Sequence, residues 1–152
     1  NSGTAVASTS GTSVDFTGLP AGLRRITVMF MSCSTSSTSP WQIQIGTSGG
    51  VQTTGYVGGA GDRGGEGAST AGFEIISTPA AASNYSGSVI LTLGNSSSGI
   101  WVSQGVLAID VSGQPKMSAG SKTLSGTLDR VRITTVGGTD TFDAGSINIL
   151  YE

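Results

Sequence analysis

The 152-residue chain has no histidine, one cysteine, four prolines and only 11% charged residues. Each shortage excludes something. Without histidine there is no Ser-His-Asp or Cys-His pair to activate a nucleophile, and no imidazole to hold zinc. The lone Cys33 has no intrachain disulfide partner and reads as a small buried hydrophobe. A net charge of -2, with a pI near 4.9, supplies no basic field for a phosphate backbone, so nucleic acid is not an expected partner. No apolar run approaches the ~20 residues of a membrane-spanning helix, so no membrane insertion is expected. No leader-like segment opens the chain, and Asn1-Ser2-Gly3-Thr4 reads as a cut inside a longer protein. The glycine spacings between Gly55 and Gly67 are not followed by the Gly-Lys-Ser/Thr of a phosphate loop, and no Asp-x-Asp-x-Asp-Gly string suggests calcium. No cofactor and no metal are therefore expected. Helical periodicity is missing too: nowhere do apolar residues recur at i, i+3, i+4 and i+7 for three turns.

What remains is glycine, 25 of them, with abundant serine and threonine. Low charge separates this composition from disorder. Short strands joined by Gly/Ser/Asn turns produce it in sandwiches and barrels. A chain of this length forms one domain and buries roughly 70% of its unfolded surface. The reading is a single all-β domain over 1–152. It is an antiparallel β-sandwich, jelly-roll-like, of eight to ten short strands with long Gly/Ser-rich loops.

The end of the chain carries the clearest pattern. Val131, Ile133 and Thr135 alternate with Arg130, Arg132 and Thr134. Gly137-Gly138-Thr139-Asp140 then offers a reversal, and Ile147, Ile149 and Tyr151 alternate with Asn148 and Leu150. This predicts a closing β-hairpin over 128–152. Upstream, Thr12 to Phe16 is a strand, and Arg24 to Met31 is a strand with two apolar faces, expected to be covered on both sides. Ser32 to Pro40 reads as a loop and Trp41 to Ile45 as a half-exposed strand. Ten of the 25 glycines fall between Gly46 and Gly67, which predicts a long surface excursion. Strands are also expected at 71–77, 87–93 and 100–109, the last with a bulge at Gly105, followed by a loop over 111–120 and brief pairing at 122–127.

Two separated strings share a likeness. Ser13-Val14-Asp15-Phe16-Thr17-Gly18-Leu19-Pro20, with Arg25-Ile26-Thr27-Val28-Met29-Phe30, resembles the start of the module that ends bacteriophage tail fibre proteins. Leu128 to Thr135, with Thr141-Phe142-Asp143-Ala144-Gly145-Ser146-Ile147-Asn148-Ile149, resembles its end. The resemblance covers about a third of the chain and leaves out the middle. It implies a receptor-binding tip domain at the distal end of a fibre on the virion, assembled as a homotrimer. Such a tip attaches to a host bacterial surface glycan, polysaccharide or lipopolysaccharide, or to an outer-membrane component. It implies no binding residue by position.

Candidate residues therefore come from chemistry. A sugar presents a C–H face to an aromatic ring and hydroxyls to polar groups. Trp41 and Tyr56 are the aromatic candidates, ahead of Tyr85 and Trp101, the last of which reads as core. Asp62, Arg63 and Glu66 form a charge cluster in a nearly neutral surface and are the polar candidates. No catalytic residue is assigned. A rival reading uses Asp62 and Glu66 as the paired carboxylates of a capsule- or lipopolysaccharide-degrading glycosidase, and Asp140 with Asp143 could meet the same spacing. A third is a structural trimerisation cap without a ligand.

Overall fold

The computed structural model describes residues 1–62 and 65–152, with the side chains of 62–67 outside the description. Among the described residues there is no helix, and thirteen strands follow in order. They are β1 (Val6–Ala7), β2 (Ser13–Phe16), β3 (Arg25–Thr35), β4 (Trp41–Thr47), β5 (Gly50–Val51), β6 (Tyr56–Asp62) and β7 (Gly65–Ala68). β8 (Phe73–Ile76), β9 (Tyr85–Asn95), β10 (Ile100–Ile109), β11 (Pro115–Thr123), β12 (Arg130–Thr135) and β13 (Phe142–Tyr151) complete the chain. Every pairing is antiparallel. The large sheet runs β1-β13-β3-β9-β10-β11-β6-β7, and the small one runs β2-β12-β4-β5 with β8 also on β4.

The alternation read from the sequence puts one side of each sheet into a shared, sandwich-like core. Ile26, Val28 and Phe30 of β3, Val89 and Leu91 of β9, and Ile147 and Ile149 of β13 are buried from the large sheet. Val14 and Phe16 of β2, Ile43 and Ile45 of β4, and Val131 and Ile133 of β12 are buried from the small one. Aromatic rings join the two. Trp41 of β4 lies 5.3 Å from Tyr85 of β9, 5.8 Å from Phe142 of β13 and 6.3 Å from Phe30 of β3, centroid to centroid. Farther along, Tyr56 of β6 meets Phe73 of β8 edge-on at 4.9 Å. Such pairs add ~1 kcal/mol each beyond the area they bury.

Several expectations are corrected. The two alternating segments at the end are not a hairpin: β12 pairs with β2 and β4 in the small sheet, whereas β13 pairs with β1 and β3 in the large one. The Gly137-Gly138 turn carries the chain from one sheet to the other. Residues 32–35 continue β3 instead of opening a loop, with Ser32 at a φ of 52° and Gly145 of β13 at 85° where the register slips. A Cβ on Gly145 would stand 2.5 Å from the Met31 and Ser32 carbonyl oxygens, so only glycine fits. The glycine-rich excursion is largely strand, comprising β5, β6 and β7. Glycine permits it, since β6 pairs edge to edge with β11 and a Cβ on Gly58 would collide with the Ala119 carbonyl oxygen. Residues 115–120 belong to β11, which begins on a proline where the lost donor costs least, and Lys122 and Thr123 end that strand. β10 passes Gly105 in unbroken register; its irregularity is at Ile100/Trp101. Trp41 to Gly46 is buried on both faces, not half-exposed. Within the single chain, the core covers β3 on one face; on the other, Thr27 and Met29 are half-buried and Met31 is exposed, so a second cover would have to come from a neighbouring subunit.

Candidate functional site

The aromatic candidates are core residues. Trp41 is 0% and Tyr56 1% exposed. Trp41 donates its indole N–H to Thr35 Oγ1 at 3.0 Å, and the Tyr56 hydroxyl accepts from the Ile45 N–H at 2.8 Å while donating to the Gln52 carbonyl at 2.9 Å. Burial pushes the Tyr56 phenol up to about 12. Neither ring offers a free face, so neither is a platform for a sugar in this chain. Tyr85 and Trp101 are buried too. Arg63 lies outside the described residues, and so do the side chains of Asp62 and Glu66. The charge cluster of Asp62, Arg63 and Glu66 therefore lies outside what is described.

The structure gathers polar groups elsewhere, on the outer side of the small sheet. Antiparallel register places directly opposed side chains on one face. Thr134 of β12 opposes Ser13 of β2 on one side and Gln42 of β4 on the other, and Gln42 opposes Glu74 of β8. One row thus reads Ser13, Thr134, Gln42, Glu74. The neighbouring row reads Asp15, Arg132, Gln44 by the same pairings. Ser13, Thr134, Gln42, Arg132 and Gln44 floor a groove of about 320 Å³ that Thr12, Ala71 and the Gly137-Gly138 turn wall in, with Asp15 and Glu74 at the row ends outside its lining.

Its parts are held in place. Arg132 grips Asp15 through two N–H groups at 2.7 and 3.2 Å, with both side chains more than a third exposed. Gln44 Nε2 donates to the Ala71 carbonyl at 2.9 Å, Gln42 Nε2 to the Thr135 carbonyl at 3.4 Å, and Thr134 Oγ1 to the Thr12 carbonyl at 2.8 Å. Three buried polar atoms here have no partner: Gln42 Oε1 and Thr135 Oγ1 in the groove, and Glu74 Oε1 beside it. Leaving such an atom unpaired costs ~1–3 kcal/mol. Glu74 is only 4% exposed, and burial raises its carboxyl above the ordinary carboxylate range. The sequence signal for this groove was the glutamine alternation of Trp41-Gln42-Ile43-Gln44-Ile45. It was legible as a polar face but silent about which strands would flank it.

In acid–base terms the groove is poorly equipped for glycoside cleavage. Glu74 and Asp15 are three strand spacings apart, ~14 Å, beyond the ~5–10 Å that paired carboxylates span. Asp140 accepts from the Ser39 N–H at 2.9 Å, and Asp143 accepts from the Ser34 hydroxyl, so each has a structural use. Among the described residues no group of three or more His, Cys, Asp or Glu could hold a metal. Cys33 is buried against Ser8 and the Ser146 carbonyl, and burial raises its thiol above the usual value.

A second concavity, about 530 Å³, opens at one end of the sandwich between the β9–β10 turn and residues 124–128. Leu23, Leu93, Trp101, Leu124 and Leu128 line it, rimmed by Ser96 to Ser98, with no charged group. It contains none of the buried, unpartnered acceptors, whereas the groove holds Gln42 Oε1 with Glu74 beside it. That difference makes the groove the candidate site. No family model matches the chain, and no curated protein or solved structure matches it either.

Proposed function

We propose that this chain is the receptor-binding tip of a bacteriophage tail fibre. In this reading it sits at the distal end of the fibre on the virion as a homotrimer and binds host surface polysaccharide or lipopolysaccharide without cleaving it. Support comes from the tail-fibre resemblance of both ends and from an all-β frame. The single observation that carries the ligand class is the double row of amide, hydroxyl and guanidinium groups in the groove, with three buried, unpaired polar atoms in or beside it. Hydroxyl-rich ligands satisfy such a surface by donating and accepting at once. Three copies on one fibre would multiply a weak single-site affinity through effective concentration.

The test uses the purified chain and a panel of bacterial capsular polysaccharides and lipopolysaccharide O-chains. Binding to one panel member is expected, with no new reducing ends, together with competition against phage adsorption to cells bearing that glycan. New reducing ends would favour the degrading enzyme. Failure to bind any glycan or to block adsorption would favour the structural cap.

A further inference from the structure

We infer that the outer face of the large sheet is the surface through which copies of this chain associate. The inference deepens the assembly part of the reading above and rests on that part alone; it does not depend on the ligand.

Register defines the face. Asn148, Met29, Ser88, Val106, Met117 and Gly61 form a continuous row across β13, β3, β9, β10, β11 and β6. A parallel row runs beside it from Leu150 to Gly59, and a third lies beyond that, from Arg25 through Thr92 to Val57. Among the described side chains, the only charged one in these rows is Arg25, at the end of one of them, and it is tied to Glu152 at 2.5 Å; at the far edge Glu66 of β7 pairs with Gly61. Both lysines of β11 point the other way: Lys116 and Lys122 are buried on the inner side. Meanwhile Val57 is 70%, Met117 59% and Val106 52% exposed, and Met31, Leu150 and Val102 are exposed with them. All three methionines of the chain are on this face. Methionine's unbranched, polarisable side chain adapts to a partner surface.

Charge and size select the occupant. A surface whose polar atoms are serine, threonine, Gln104 and Asn148 needs a partner that brings no unpaired charge, since desolvating one costs several kcal/mol. Further copies of this chain meet that condition, with one part of the face meeting a different part of the neighbour's around a three-fold axis. The small sheet's outer side is a poorer match, because covering its exposed Asp15–Arg132 pair would desolvate two charges. Six strands at ~4.8 Å spacing and nine residues at ~3.3 Å give a face of roughly 30 by 30 Å. That is near the ~800 Å² per partner of a stable interface.

The test combines light scattering with peroxide oxidation of the wild-type chain, followed by peptide mass. Association is expected, with Met117 oxidised at least ~10-fold more slowly than in a Val106→Glu variant. Val106→Glu should be monomeric with an unchanged far-ultraviolet spectrum, while Val111→Glu, at an exposed turn, should assemble normally. An assembled wild type whose Met117 reacts as fast as free methionine would overturn this face and leave assembly standing on another. A monomeric wild type would overturn both, and one that binds phosphatidylcholine vesicles would assign the face to lipid instead. If Val106→Glu fails to fold, the wild-type Met117 rate judged against free methionine decides the matter.

Discussion

At the scale of single residues, Trp41 joins the two sheets. It heads a strand directly after a serine-rich stretch, which suggested an accessible ring. The reason it is buried is that β3 continues through that stretch and turns the chain back across the core. Three rings and Thr35 Oγ1 surround it. Trp41→Ala should therefore destabilise the chain by about 3–5 kcal/mol, read as a lowered denaturant midpoint. Tyr56 gives a pH signature. Its folded pKa, about 12, is raised above the ordinary value of 10. The associated stability is fully present below pH 10 and is lost as pH climbs from 10 to 12, by roughly 3 kcal/mol. Tyr56→Phe should flatten that loss in unfolding curves taken across the window, at a cost near neutrality of about 1–3 kcal/mol for the Ile45 N–H left unpaired. Glu74 runs the same way in the acid range. Its pKa is raised by burial, so its contribution is full below its ordinary value of 4.5 and lost as pH rises through the folded value. Glu74→Gln should be more stable than wild type at neutral pH, and the gap should close in acid. A gap independent of pH would show that the carboxyl is not the source.

At the scale of elements, the alternating segments were legible and their partners were not. Period 2 correctly placed β2, β4, β8, β9, β10, β12 and β13, because each has one face committed to the core. What period 2 cannot tell is whether a glycine turn folds a strand onto its neighbour or swings it into the opposite sheet. The 128–152 segment looked like the first and is the second. The glycine-rich middle was misread for a different physical reason. Glycine weakens strands on average, yet it lets β6 lie close against β11, and packing outweighs the entropy it costs. The irregular pairing of β3 with β13 supplies a check. Gly145→Ala combines a left-handed φ with two carbonyl oxygens 2.5 Å away, so it should cost about 2 kcal/mol or more. Gly113→Ala also has positive φ, but nothing lies within 4 Å of its Cβ, so it should cost less, by ~1 kcal/mol. Thermal unfolding of the pair separates steric contact from backbone preference.

At the scale of the whole molecule, the two outer faces differ in chemistry. The small sheet carries an exposed ion pair and largely buried amides and hydroxyls around a groove, and the large sheet turns outward a face whose described charges, Arg25 and Glu152, lie at its margin. That asymmetry could not be read from composition, since 11% charge says nothing of where the charges lie. It follows from register, which fixes the side of each strand that meets the core. In the proposed reading one face takes the ligand and the other takes copies of the chain, and the two should fail independently. The most direct measurement is the affinity of the wild-type chain and of Arg132→Ala and Gln44→Ala for the panel glycan that binds. Arg132 and its exposed pair with Asp15 stabilise the fold by ~1 kcal/mol or less, so the thermal transition should hardly move. Each substitution is predicted to weaken binding ~10-fold or more, with assembly intact. Unchanged affinity in both variants would place the ligand elsewhere and contradict the account.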